Sequence, residues 1–147
     1  MLSILQLRFE PDTDQTGELF VHAESEGFAG RASAWMGFHQ IREFGEKLAT
    51  RFPLSQDEVV TLQGGYWASG TAKPTLEETL VGLKVYPVGT TGTIGIAVEL
   101  MEGDYQGQRA ISRAQVRLEL LTDYQTLQAF GRGITSLVEG GVRSVDL

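Results

Sequence analysis

Two stretches constrain this chain more than any others: FHQIREFGEKLATRF (38–52) and YQTLQAFGRGITSLV (124–138). In the first, Phe38, Ile41, Phe44, Leu48 and Phe52 recur at spacings of three and four, which places them on one stripe of a helix. Arg42 with Glu46, and Glu43 with Lys47, are opposite charges four apart on the outer face. Pro53 disfavours helix at the residue before it, so the helix is expected to end near Arg51. In the second stretch Leu127, Phe130, Ile134 and Val138 take the places of Ile41, Phe44, Leu48 and Phe52, and Gly131 takes the place of Gly45. A glycine inside a helix costs about 1 kcal/mol relative to alanine. Its repetition implies close packing, here expected against a sheet. Thr122 or Asp123 reads as the N-cap of the second helix, and Gly140-Gly141 as its end. Each helix follows a strand with an Arg-Ala pair, GRASAWM (30–36) and SRAQVRLELL (112–121). The echo reads as two strand-then-helix units laid on one sheet. An internal duplication would produce it, and so would two helices meeting one packing demand; the second reading is preferred at this stage.

Most of the remaining chain alternates like strand. Residues 2–9 put Leu5, Leu7 and Phe9 on one face; 18–25 put Leu19, Val21 and Ala23 opposite Phe20, His22 and Glu24; 28–36 divide Ala32, Ala34 and Met36 from Arg31, Ser33 and Trp35. Residues 10–18 read as a turn-rich loop. A short strand is expected near 58–63, then a loop over 64–75 that holds Tyr66 and Trp67. Residues 76–88 read as strand from about Thr79, with helix an alternative over 75–82. TIGIAVELM (93–101) is the clearest strand, and 109–121 returns beside it with Ala114, Val116, Leu118 and Leu120 inward. Residues 142–147 form a short strand or a tail. The expected fold is α+β: an antiparallel sheet with two amphipathic helices on one face, in the order β-β-β-α-β-β-β-β-α, as one domain over 1–147.

Composition narrows the partners. The net charge is −7, and up to Gly30 six acids (Glu10, Asp12, Asp14, Glu18, Glu24, Glu26) face one base, Arg8. Such a surface disfavours nucleic acid and anionic membrane and suits a basic protein; a plain solvated loop would have the same composition. With no cysteine there is no disulfide framework or thiolate metal site. The first residues lack the basic start of a signal peptide, and no run reaches a membrane span, so a cytoplasmic location is expected.

The residues that carry chemistry elsewhere do not assemble into a motif here. His22 and His39 fall on different elements without a carboxylate pattern, which argues against a metal centre. There is no G-x-S-x-G, and GGYWASG and GTTGTIG lack the lysine and strand-to-helix setting of a phosphate loop. Glu77-Glu78 and Glu99, Glu102 and Asp104 read as surface acids rather than an acid–base pair. No cofactor is implied. The outward sheet face, with Phe20, His22, Arg31, Trp35, Tyr86, Glu99 and Arg117, mixes aromatic and arginine residues of the kind enriched at binding hot spots. Cross-strand pairing of Glu99 with Arg117 would instead make it a solvated sheet face. Tyr66 and Trp67 offer a second aromatic surface, unless they fold back to cover the edge of the core.

The order of features resembles the WapI-type family of small bacterial immunity proteins. The resemblance rests on GFAGRASAWM, the helix pattern F-x-x-I-x-x-F-x-x-x-L, the strand GTIGIAVEL and the closing helix D-Y-x-x-L-x-x-F. It spans nearly the whole chain and implies a non-enzymatic cytoplasmic protein that neutralises a cognate toxin domain. It carries no functional residue over. The expectation is therefore a protein-binding module with a basic toxin domain as partner. Its contact set is Glu10, Asp12, Asp14, Glu18, Phe20, Arg31, Trp35, Tyr66, Trp67, Tyr86 and Arg117. The alternatives are a small-ligand protein or enzyme, needing a pocket around Trp35, Arg31, Tyr86 and Arg117, and a structural homodimer built through the sheet face.

Overall fold

The structure is a computed structural model that describes residues 3–68, 75–104, 107 and 109–147. The elements are β1 (Ile4–Pro11), β2 (Thr16–Ser25), β3 (Phe28–Gly37), α1 (Phe38–Thr50), β4 (Val60–Trp67), β5 (Leu76–Val88), β6 (Thr93–Met101), β7 (Gln115–Asp123), α2 (Tyr124–Glu139) and β8 (Ser144–Asp146). The α+β class and the two helices are as expected from the periodicities. The strands, however, form two antiparallel sheets instead of one, β3-β2-β1-β8 and β4-β5-β6-β7. Alternation decides which side of each sheet is buried. Leu5, Leu7, Phe9, Leu19, Val21 and Ala23 of the first sheet share a core with Val81, Leu83, Val85, Ile96, Val98 and Leu100 of the second. The stripes Ile41, Phe44, Leu48 and Leu127, Phe130, Ile134 complete that core.

Two local expectations change, and two that were open are decided. β4 runs on through Gly64, Gly65, Tyr66 and Trp67, so the two aromatics stand on a strand and not in a loop; residues 69–74 of that expected loop lie outside the described set. The strand expected from about Thr79 is present and begins at Leu76, so the helical alternative over 75–82 falls away. The return strand starts only at Gln115, after a short 3-10 turn (Ala110–Ser112), and Ala114 is exposed rather than inward. Of the two readings for 142–147 the strand holds: residues 144–146 pair with β1. The helix ends follow the sequence: the Asp123 carboxylate accepts from the Thr126 amide at 2.8 Å, which holds its pKa below the usual carboxylate value, and Gly140 closes α2 in the left-handed region.

The echo between the helices extends to the whole fold. Each half is a three-stranded meander followed by a helix and one more strand: β1-β2-β3-α1-β4 and β5-β6-β7-α2-β8. The registers repeat as well. Arg8–Phe20–Ser33 across β1-β2-β3 matches Lys84–Ala97–Glu119 across β5-β6-β7. The strand after each helix leaves its own half and pairs with the first strand of the other: Val145 faces Leu7, and Leu62 faces Leu83. The helix glycines are equivalent positions, and they meet each other. A Cβ on Gly131 would lie 2.6 Å from the Gly45 carbonyl oxygen, and one on Gly45 would lie 2.9 Å from that of Gly131. Their purpose is thus helix-on-helix approach, not packing on a sheet. A second equivalent pair, Gly30 and Val116, also meets, with a Cβ on Gly30 falling 2.3 Å from Val116 Cγ1. Both contacts mark the axis relating the halves. A common unit used twice accounts for this correspondence better than two helices solving one packing problem separately.

Candidate functional site

The face of the first sheet turned away from the core presents a grid of side chains in three rows: Glu10, Glu18 and Trp35; Arg8, Phe20 and Ser33; Gln6, His22 and Arg31. The period of two in each strand puts them there, because their neighbours Leu7, Phe9, Leu19, Val21 and Ala34 are buried. Of the contact residues expected from sequence, Glu10, Glu18, Phe20, Arg31 and Trp35 share this grid, and Asp12 and Asp14 lie in the β1–β2 connection at its upper edge.

The upper end is acidic and tied together by hydrogen bonds. Trp35 is 51% exposed, yet its indole N–H donates to Thr16 Oγ1 at 2.8 Å, and that hydroxyl donates to Asp14. Glu18 accepts from Ser33 Oγ at 2.6 Å, and Asp12 accepts from the Thr13 amide at 2.7 Å. Glu10 is 2.5 Å from Arg8. The donors to Asp12, Asp14 and Glu18 are neutral, and among the described residues no cation pairs with these three carboxylates. The hydrogen bond from Thr16 pulls the Asp14 pKa below its ordinary value.

The lower end is basic and concave. Arg8 lies 4.0 Å over the Phe20 ring, His22 Nε2 is 3.6 Å from Glu24, and Arg31 makes no ion pair among the described residues. Met101, Glu102 and Gly103, from the end of β6, wall off a cavity of about 390 Å³ here. Alternation in LQLRF already sets Gln6 and Arg8 opposite Leu5 and Leu7, so their place on this face was readable. The wall was not, because it comes from a segment far along the chain.

Tyr86 and Arg117 sit on the outer face of the second sheet, so the pocket anticipated around Trp35, Arg31, Tyr86 and Arg117 does not form. Glu99 stands opposite Arg117 in the register, but no ion pair joins them. Trp67 is half exposed at the end of β4, while Tyr66 turns toward the core and its hydroxyl accepts from the Asp104 amide at 2.9 Å. Tyr86 donates its hydroxyl proton to Glu119. Partial burial, followed by that hydrogen bond and the charge of Glu119, pushes the Tyr86 pKa up to about 12 from 10.0. The neutral phenol is thus the form the fold favours. Its contribution is fully present below pH 10 and is lost as pH rises through 12. Glu119→Gln is expected to bring one tyrosine ionisation back toward 10 in an ultraviolet absorbance titration. An unchanged titration would mean that Glu119 has no hold on Tyr86.

Among the described residues no polar or charged side chain is fully buried, and no three His, Asp or Glu residues are placed to hold a metal ion. No helix of the described residues is long and apolar enough to cross a membrane. Comparison with protein-family models, curated proteins and solved structures returned no match.

Proposed function

We propose that the protein is a non-enzymatic binding module whose contact surface is the acidic upper end of the β1-β2-β3 face, and that its partner is a basic polypeptide. One observation carries this reading. The exposed ring of Trp35 is held in place by Thr16 and stands among Asp12, Asp14 and Glu18, carboxylates whose hydrogen bonds leave their charge uncancelled. A fixed aromatic ring beside uncompensated acids suits lysine and arginine side chains, which stack on the ring and pair with the carboxylates. Long-range attraction would also speed capture. In the form implied by the resemblance to immunity proteins, the partner is a toxin domain that this protein holds inactive inside the cell.

The test begins with the tagged protein in extract of its own cells. A stoichiometric, basic polypeptide is expected to be retained. The double variant Asp12→Asn/Glu18→Gln keeps the acceptors but removes two charges; it should slow association about tenfold and flatten its salt dependence. Trp35→Ala should chiefly quicken dissociation. If no such polypeptide is retained, or if it binds all three proteins alike, the reading fails. Expressed alone, the partner should impair growth, and co-expression of this protein should restore it; a harmless partner removes the toxin-neutralising form of the proposal.

A further inference from the structure

The repeat that relates the two halves also relates two cavities. Gln6, Arg8, Phe20, His22 and Arg31 line the one on the first sheet. Their equivalents Gly82, Lys84, Ala97, Glu99 and Arg117 line one of about 240 Å³ on the second. In each, a cation stands on the first strand of the meander and an arginine on the third, flanking the central strand. The difference lies on that central strand. The second cavity has a carboxylate of its own, Glu99, opposite Arg117; the first has an imidazole, His22, opposite Arg31. The first also has an aromatic floor, Phe20, where the second has only Ala97.

The wall of the first cavity is braced. Arg113 donates from Nε and Nη2 to the Glu102 carbonyl at 3.2 and 3.0 Å and pairs with Glu78 at 2.5 Å. Glu102 adds an acid to the lining, but its Oε2 accepts from the Ala114 amide at 3.0 Å and its amide donates to the Ala114 carbonyl. Its donor is a neutral amide, so this carboxylate holds the wall without losing its charge. Arg8 is steadied by Glu10 and by the Phe20 ring, while Arg31 has no carboxylate partner among the described residues.

We infer that the first cavity binds a small organic anion, with a carboxylate or phosphate head between Arg31 and Arg8 and its carbon portion against Phe20 and Met101. Guanidinium groups match the oxygens of both heads, and 390 Å³ is the size of a small-molecule site. The ligand thus supplies beside Arg31 the negative charge that Glu99 supplies opposite Arg117 in the sister cavity. The site adjoins the acidic upper end: Arg8 pairs with Glu10, and Ser33, which also lines the cavity, donates to Glu18, while His22 and Arg31 lie in the row farthest from it.

The test is an NMR titration of the whole chain, following the arginine Nε–H signals, with inorganic phosphate and with benzoate in separate experiments. Saturable shifts of Arg8 and Arg31, without Arg117, are expected with at least one probe, and the probe that saturates identifies the head group. Arg31→Gln removes one cation, and His22→Glu installs the acid of the sister cavity. Each should weaken binding by about tenfold or more. Both positions lie on the outer face, and unchanged amide spectra elsewhere would establish that the variants fold. Linear shifts with both probes, equal shifts at Arg117, or undiminished affinity in His22→Glu would overturn the inference.

Discussion

Gly131→Ala is expected to destabilise the protein by about 2 kcal/mol, whereas Gly45→Ala should change stability by no more than about 1 kcal/mol in either direction. Alanine is better in a helix than glycine by about 1 kcal/mol, so both exchanges start with a gain. Their surroundings then separate them. A Cβ on Gly131 would lie 2.6 Å from both the Ala49 nitrogen and the Gly45 carbonyl oxygen, and 2.9 Å from Leu48 Cβ. Two of those atoms are backbone of α1, so relief requires the helix to move, and overpacking of this kind costs about 1–3 kcal/mol and sometimes more. A Cβ on Gly45 would meet one backbone oxygen at 2.9 Å and two methyl carbons, of Ile134 and Thr135, at 3.0 Å. Methyl groups can shift by the few tenths of an ångström required. In thermal melts Gly131→Ala should lose about 6–8 °C. A Gly131→Ala protein as stable as the parent, or one more stable than Gly45→Ala, would mean that the helices do not approach through these residues.

The same glycines show where sequence reading stops. The apolar stripes, the Asp123 cap and the alternation of β1, β2 and β6 are set by neighbours along the chain, and all were readable. That Gly45 and Gly131 needed close contact was readable too; that each is the other's contact was not, because a helix stripe does not say whether a sheet or a helix will cover it. The extension of β4 through Gly64 and Gly65 has a similar cause. Glycine is a poor strand former, but a Cβ on Gly64 would fall 2.7 Å from Met36 Cε of the other sheet, and one on Gly65 would fall 1.9 Å from the Glu78 carbonyl oxygen, where the register shifts. Space for a distant side chain and a bulge keeps glycine there, and neither has a local signature. On the outer face, alternation placed Arg31 and Trp35 correctly beside Phe20, but assumed that Tyr86 and Arg117 shared their sheet. The exchange of β4 and β8 between halves divides the strands in two, and nothing within either segment announces it.

That exchange leads to the other large effect. Leu7→Ala and Leu83→Ala are expected to cost about 3 kcal/mol each and to lower one common unfolding transition. The two leucines are equivalent, each fully buried at the middle of the strand that receives the exchanged one, opposite Val145 and Leu62. If each half held together alone, Leu7→Ala would loosen the first sheet and leave the second intact. But β8 completes the first sheet and arrives from the second half, while β4 completes the second and arrives from the first. Between them the helices meet at Gly45 and Gly131, and the two sheets share one core. The loss of either leucine should therefore be shared by the whole molecule as a single cooperative transition. The two tryptophans can report on this, since Trp35 lies in the first sheet and Trp67 in the second. With Trp67→Phe or Trp35→Phe as the background, fluorescence follows one sheet at a time during urea unfolding. Coincident curves for both reporters, shifted equally by either leucine variant, are the expected result. Curves that separate, with the sheet carrying the substitution unfolding first, would show that the exchanged strands do not couple the halves.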